Sequence, residues 1–222
     1  MIKASFGARL DAWIHRLFPF LFRRSRPIDP NLLTCTGAVV AVAAALMLAA
    51  GQLRLGGALI LASGFFDLVD GVVARHYGVS TEFGSFLDAT LDRLVDVVLL
   101  CGVLAWYAGE GDRATAAVAA VALATAVLTS YAKARAETRI PVLEGGLLER
   151  GERIGLLAAG ALFDVLAPVL WLLAAGGVVT VAQRFAVAYR ALGDLDATRR
   201  GASPDGPQRE ARSGGASAPA RS

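Results

Sequence analysis

Charge is scarce in this chain of 222 residues. Asp, Glu, Lys and Arg together make up 18% of it, against 55% hydrophobic residues, and the mean hydropathy is +0.55. Such a composition excludes an ordinary soluble domain. Cysteine is also rare. Cys35 and Cys101 fall inside apolar segments with no metal-binding spacing, so we expect no disulfide framework and two small buried residues.

Several long stretches carry no charge at all. Their lengths approach the roughly 20 residues with which an α-helix crosses a hydrocarbon core about 30 Å thick, and the many Ala and Gly residues permit close helix packing. We therefore predict an all-α polytopic membrane protein with six transmembrane helices. They span about residues 31–50, 55–75, 85–107, 114–135, 152–167 and 169–190, and Asp164 and Pro168 interrupt the fifth.

The flanking segments differ from this membrane domain of residues 27–192. Residues 1–26 mix aromatic and aliphatic residues with Lys and Arg, which predicts an amphipathic helix lying on the membrane surface. Residues 193–222 are rich in Gly, Ala, Ser, Pro and Arg and should form a disordered cytoplasmic tail. With the N-terminus inside, the outward turns contain only Arg54 and Arg113. The positive-inside rule then places both termini on the cytoplasmic side of the cell membrane.

The segment 66–96 holds the most unusual residues of the chain, five aspartates in an apolar setting: Asp67, Asp70, Asp88, Asp92 and Asp96. A carboxylate in hydrocarbon costs roughly 2.5 kcal/mol or more unless it is compensated. Residues three and four apart share a helix face, so the two spans joined by a short turn can bring two acidic faces together at the cytoplasmic end. Carboxylates this close favour one or two Mg²⁺ or Mn²⁺ ions.

Other interpretations of the aspartates remain open. They could instead pair with Arg75 and Arg93 for stability, or mark the path of a cation transporter. For Asp96, pairing with Arg93 or polar packing competes with metal ligation, and we count only the other four as metal ligands. Gly71, Ala74 and Gly84 would keep the walls open for a bulky ligand, and Arg75 could contact its phosphate.

The spacing itself resembles a known family signature. Asp67-x-x-Asp70-Gly71-x-x-Ala74-Arg75, eight residues, and Gly84-x-x-x-Asp88-x-x-x-Asp92 is similar to the complete motif of the CDP-alcohol phosphatidyltransferases. The resemblance extends over about residues 5–192. It implies transfer of a phosphatidyl group from CDP-diacylglycerol to an alcohol, with release of CMP, by a homodimer. A membrane prenyltransferase also uses aspartates with Mg²⁺, but with different spacing.

The resemblance also implies roles for individual residues. Asp67, Asp70, Asp88 and Asp92 would hold two metal ions, and Asp92 would act as the general base. Ten residues would surround the CDP-diacylglycerol: Asp29, Pro30, Asn31, Leu32, Gly71, Ala74, Arg75, Thr81, Gly84 and Ser85. A base in contact with a metal suits an alcohol that the metal also acidifies.

A second cluster bears on the identity of the alcohol. Basic residues gather near the inner ends of the last three spans, and arginines match phosphate oxygens in bidentate fashion. These stretches resemble the bacterial phosphatidylinositol phosphate synthase branch of the family. The resemblance implies that an inositol phosphate acceptor contacts Ser130, Lys133, Arg135, Arg150, Arg153 and Arg184. Glycerol 3-phosphate is the rival acceptor, since it also presents a phosphate and a hydroxyl.

Overall fold

The computed structural model describes residues 29–78, 81–143 and 145–201, with side chains through residue 198. In these ranges the chain forms six α-helices and no strands. They are α1 (Pro30–Ala49), α2 (Leu53–Tyr77), α3 (Glu82–Gly109), α4 (Arg113–Ala136), α5 (Arg150–Leu162) and α6 (Leu166–Gly201). The predicted surface helix of residues 1–26 and the chain after residue 201 lie outside the described residues.

Local side chains fix where the helices begin. Asp29 caps α1 by accepting a hydrogen bond from the backbone N–H of Asn31 (2.9 Å), with Pro30 in the first turn. Asp112 caps α4, accepting from both the hydroxyl (2.6 Å) and the backbone N–H (3.0 Å) of Thr115. The hydrogen bond from the Thr115 hydroxyl is the main reason that the pKa of Asp112 lies below its ordinary value.

Small residues let the helices approach closely. α1 packs against α2 and α3, α4 against α3 and α6, and α5 against α2 and α6. A Cβ added at Gly102 of α3 would collide with the carbonyl of Ala45 on α1, and one at Gly57 of α2 would lie 2.9 Å from the carbonyl oxygen of Ala158 on α5. Small residues at such crossings are typical of helix pairs in membranes.

Four of the helices are long and apolar enough to cross a membrane, by length and composition: α1, α2, α4 and α6 through Thr198. α3 has the length, 28 residues, but the charges of Asp92, Arg93 and Asp96 interrupt its apolar run. α5 has 13 residues and spans about 20 Å, less than the hydrocarbon thickness. The described residues therefore form a multi-pass helical membrane protein.

Three sequence predictions need correction. Cys35 and Cys101 are exposed on the outside of the helices, not buried. The fifth helix ends at Leu162, short of the predicted residue 167, because the chain turns at Asp164 with a φ of 59°. α6 continues through Gly201, nine residues into the predicted tail. Apart from Gly193, residues 191–200 are compatible with a helix, and the next proline is Pro204.

Candidate active site

Three aspartates converge where α2 and α3 meet. Asp67 and Asp70 lie near the C-terminal end of α2, and Asp88 lies in the second turn of α3. One carboxylate oxygen from each lies within 4.8 Å of the other two. Like charges at this distance repel unless a cation is shared between them, and an all-oxygen set suits a hard divalent ion. The donor set therefore fits Mg²⁺ or Mn²⁺.

Thr34 of α1 fixes the most buried of the three carboxylates. Its hydroxyl lies 2.6 Å from Oδ2 of Asp70, and it also contacts the carbonyl oxygen of Pro30 at 3.0 Å. The side chain of Asp70 is therefore oriented by a neighbouring helix. Outer-shell partners of this kind set the direction of a metal ligand. Sequence reasoning missed Thr34 because it lies 36 residues before Asp70 and belongs to no motif.

Asp92 lies next to this group but contacts an arginine. Nη2 of Arg150 lies 2.9 Å from Oδ1 of Asp92, and Nη1 lies 3.4 Å from Oδ2 of Asp67. Arg150 is the first residue of α5, so this helix delivers a guanidinium between the acidic faces of α2 and α3. The sequence predicted Arg150 only as a ligand of the acceptor phosphate.

Asp96 is bound by arginines of α5. Its Oδ2 accepts from Nη2 of Arg153 at 2.9 Å, and its Oδ1 lies 3.6 Å from Nε of Arg150. Asp96 is 5% exposed and Arg153 is 9% exposed. Arg93, the partner considered from the sequence, instead lies 3.8 Å from Asp92 and donates to the carbonyl of Ala89. Asp96 is thus a buried counter-ion, one turn beyond Asp92.

A cavity of about 300 Å³ opens beside these charges. Asp67, Asp92 and Arg150 line one part of it, and apolar side chains from α1, α2, α3 and α5 line most of the rest. The apolar wall includes Ile60, Leu61, Phe65, Leu68, Leu91 and Ile154. A ligand with a charged head and a hydrocarbon tail matches these surroundings, since such pockets combine apolar walls with a few placed polar groups.

Several of the residues expected around the donor also lie close together. Thr81 caps α3 by accepting from the N–H of Gly84 (2.9 Å). A Cβ at Gly84 would lie 3.0 Å from Oγ1 of Thr81 and 3.1 Å from Oδ1 of Asn31, so only glycine leaves that space open. On α2, a Cβ at Gly71 would lie 3.2 Å from Nη1 of Arg75. Asp29, Pro30 and Leu32 lie at the start of α1, Ala74 on α2 and Ser85 on α3.

The remaining basic residues are divided between two sides of α4. Nη1 of Arg184, on α6, donates to the carbonyl of Thr129 (2.6 Å), and Nε donates to that of Gly145 (3.2 Å). Lys133 is one turn beyond Thr129 and lies 3.9 Å from Glu137. Ser130 is half-buried, whereas Arg135 is exposed and lines a groove between α4 and α6 that Arg184 also lines.

Comparison with known proteins identifies the family. The sequence profile of the CDP-alcohol phosphatidyltransferases matches residues 28–192. The chain belongs to this family. It is 39% identical over 193 residues to the phosphatidylinositol phosphate synthase of Streptomyces avermitilis, covering 80% of this chain and 78% of the relative. It is 38% identical over 180 residues to the archaetidylinositol phosphate synthase of Methanothermobacter thermautotrophicus, covering 78% and 89%.

Solved structures of another relative show the same fold. The phosphatidylinositol phosphate synthase of Mycobacterium tuberculosis with CDP-DAG bound aligns with a TM-score of 0.68 at 30% identity, covering 83% of this chain and 94% of that one. Its complex with manganese and citrate aligns with a TM-score of 0.70 at 31% identity, covering 82% and 88%. A divalent metal in that relative agrees with the cluster of Asp67, Asp70 and Asp88 in this chain.

Proposed function

We propose that this protein is a phosphatidylinositol phosphate synthase of phospholipid biosynthesis. It transfers the phosphatidyl group of CDP-diacylglycerol to inositol phosphate and releases CMP. The observation that carries the proposal is the convergence of Asp67, Asp70 and Asp88 next to Asp92 and Arg150, beside a cavity with mostly apolar walls. A bacterial relative named phosphatidylinositol phosphate synthase and an archaeal relative named archaetidylinositol phosphate synthase support the choice of acceptor.

The acidic residues serve the donor. Asp67, Asp70, Asp88 and Asp92 would hold one or two Mg²⁺ or Mn²⁺ ions, which would neutralise diphosphate charge and acidify the acceptor hydroxyl. Asn31, Thr81 and Gly84 line the approach to the CDP moiety together with Asp29, Pro30, Leu32, Gly71, Ala74, Arg75 and Ser85. The apolar wall of the 300 Å³ cavity receives hydrocarbon of the diacylglycerol. The head and the tail of the donor thus meet different surfaces of one pocket.

Asp92 takes the proton in the transfer step. The acceptor hydroxyl oxygen attacks the phosphorus that carries diacylglycerol, its proton passes to a carboxylate oxygen of Asp92, and the bond from that phosphorus to CMP breaks. Arg150, 2.9 Å from Asp92, holds the base in place and offers a cation close to the developing negative charge. Arg75 contributes a second positive charge near the diphosphate.

The basic residues serve the acceptor. Five residues, which we call the acceptor row, bind the phosphate of inositol phosphate: Arg150, Arg153, Arg184, Lys133 and Ser130. Two of its guanidinium groups are held in place, Arg153 by Asp96 and Arg184 by backbone carbonyls. Arg135, expected from the sequence in the same set, is left out because it is exposed and lines a groove between α4 and α6, which Arg184 also borders.

The membrane arrangement follows from the charge pattern. All six helices cross the cell membrane, α3 and the short α5 included, with the N-terminus and the site on the cytoplasmic side. Arg54 and Arg113, the basic residues of the two short turns at the other end, are exposed. The protein acts as a homodimer.

The experiment is an assay of CMP release by the full-length protein in liposomes containing CDP-diacylglycerol. Mg²⁺ and inositol phosphate should support turnover, chelation of the metal should stop it, and Asp92→Asn should abolish it while the thermal unfolding temperature stays near that of the wild type. Full turnover by the Asp92→Asn variant would exclude Asp92 as the base. Cation uptake without CMP release would favour a transporter instead.

A further inference from the structure

A second groove lies between α4 and α6, at the same end of the helices as the active site. It has a volume of about 410 Å³ and shares no lining residue with the cavity beside the aspartates. We propose that this α4–α6 groove binds an anionic phospholipid of the surrounding leaflet. The proposal does not depend on the reaction, because Arg135 and Arg139, the exposed arginines of the groove, have no part in the proposed transfer; Arg184 borders both surfaces.

The walls of the α4–α6 groove are apolar and open to the outside. Leu128 and Tyr131 of α4 and Phe185 of α6 line it, and they are 45%, 66% and 59% exposed. Ala132 and Ala188 are small and leave space between the larger side chains. In a membrane helix, outward apolar side chains of this kind meet hydrocarbon, and a tyrosine near the helix end marks the interface. The groove therefore suits an acyl chain.

Three arginines line the same groove: Arg135, Arg139 and Arg184. Arg135 and Arg139 are exposed. Among the residues that the structure describes, no carboxylate lies within ion-pair distance of any of the three. Arg184 donates only to backbone carbonyls there. The groove thus collects positive charge that the described side chains do not pair.

Helix geometry separates Arg135 of the groove from Lys133 of the acceptor row. Leu128, Tyr131 and Arg135 recur at three- and four-residue intervals and share one side of α4, and Arg139 lies in the turn that follows the helix. Lys133 lies about 160° away from Arg135 around the helix at 100° per residue, where it meets Glu137. One phosphate is therefore not expected to meet Lys133 and Arg135 together.

A phospholipid with a negatively charged head group matches both the apolar walls and the arginines of the groove. Its phosphate can accept bidentate hydrogen bonds from arginine, and basic pockets between membrane helices bind anionic head groups. A second copy of this chain would have to offer a carboxylate on an apolar surface to pair Arg135 and Arg139. Charge complementarity therefore favours the lipid, which every anionic bilayer supplies.

The test compares lipids by native mass spectrometry of the full-length protein in detergent. Phosphatidylglycerol and phosphatidylcholine with the same acyl chains are titrated onto the wild type, the double variant R135Q/R139Q and the matched double variant R54Q/R113Q. The wild type should retain one more phosphatidylglycerol than R135Q/R139Q at equal concentration. Affinity at that site should fall about 25-fold, since each arginine near an anionic lipid contributes about fivefold. R54Q/R113Q, which removes the same charge at the other end, should match the wild type.

A second variant controls for folding and for charge alone. Ala132→Phe fills the groove and leaves every arginine in place, and it should also lose the extra phosphatidylglycerol. Equal retention of the two lipids by the wild type would overturn the proposal, as would wild-type binding by R135Q/R139Q or by Ala132→Phe. Conversion of a dimer to a monomer by Ala132→Phe in the absence of lipid would also overturn it, because the surface would then belong to a second copy.

Discussion

The acidic and basic parts of the active site come from different kinds of chain segment. Asp67, Asp70 and Asp88 lie on two consecutive helices joined by a short turn, so helix period and one turn are enough to bring them together. Arg150 is 83 residues from Asp67, and Arg153 is 57 residues from Asp96. Their positions depend on how α5 packs in the bundle. The residues of the donor side are thus close together in the sequence, whereas those of the acceptor side are brought together only by the packing of distant helices.

Removing one acidic ligand should have the largest effect. Asp70→Asn takes a charge from the three-carboxylate cluster, and CMP release should fall about a thousandfold, because a catalytic metal contributes several kcal/mol and each 1.4 kcal/mol is tenfold in rate. Initial rates in liposomes measure the loss. Asp196→Asn, which removes an exposed carboxylate near the end of α6, is the control and should keep wild-type activity. Comparable rates for the two variants would contradict the assignment of the acidic cluster as a metal site.

Replacing Arg153 tests whether the stability of the protein depends on the buried ion pair of Arg153 with Asp96. Arg153→Gln leaves Asp96 buried beside Arg150 alone, and loss of one partner of a buried pair costs about 3–5 kcal/mol. The free energy of unfolding in mixed micelles should fall by about that amount. The double variant D96N/R153Q should recover part of it, because residue 96 then carries no buried charge. If the double variant were less stable than Arg153→Gln alone, the pairing would not explain the burial of Asp96.

A variant of Lys133 tests whether this residue binds the acceptor and not the donor. Lys133→Gln should raise KM for inositol phosphate about 30-fold, since a hydrogen bond to a charged group contributes about 1.5–3 kcal/mol, and should leave KM for CDP-diacylglycerol unchanged. Steady-state kinetics with each substrate varied in turn measures both constants. Arg190→Gln, an exposed site on α6, is the matched control. A rise in KM for the donor alone would move Lys133 out of the acceptor row.

The variant of Thr34 has the smallest expected effect and tests a single hydrogen bond. Thr34→Val keeps the shape of the side chain but loses the hydroxyl 2.6 Å from Asp70, and the Mg²⁺ concentration for half-maximal activity should rise about tenfold. Thr36→Val is the control, because the hydroxyl of Thr36 bonds only to the carbonyl of Leu32 among the described contacts. Equal metal dependence for the two variants would show that Asp70 needs no orientation from α1.

The acidic site could be predicted from the sequence because its residues recur at the period of an α-helix. The three- and four-residue intervals among Asp67, Asp70, Asp88 and Asp92 predict two acidic faces, and the structure brings the first three together. The contact of Thr34 with Asp70 and the pairing of Arg153 with Asp96 could not be predicted in the same way. Both join separate helices, whose relative rotation depends on close contacts such as that of Gly37 on α1 with Ser63 on α2, and no local pattern encodes that rotation.

The prediction of buried cysteines failed for a related reason. Hydropathy does not distinguish a residue that faces lipid from one that faces a neighbouring helix, so Cys35 and Cys101 looked buried and are exposed. The length of α5 was overestimated because the chain stays apolar through Phe163 and Val165 on either side of the turn at Asp164. Each of these errors concerns packing or chain direction, which apolar composition does not determine.

The most direct test of the account is an acceptor panel with the purified full-length protein, CDP-diacylglycerol and Mg²⁺. Inositol phosphate, glycerol 3-phosphate, inositol and serine are compared by CMP release and by the mass of the lipid product. We predict turnover with inositol phosphate well above that with glycerol 3-phosphate, and none with inositol or serine, because the basic row needs a phosphate to bind. Activity with a neutral acceptor alone would contradict the account.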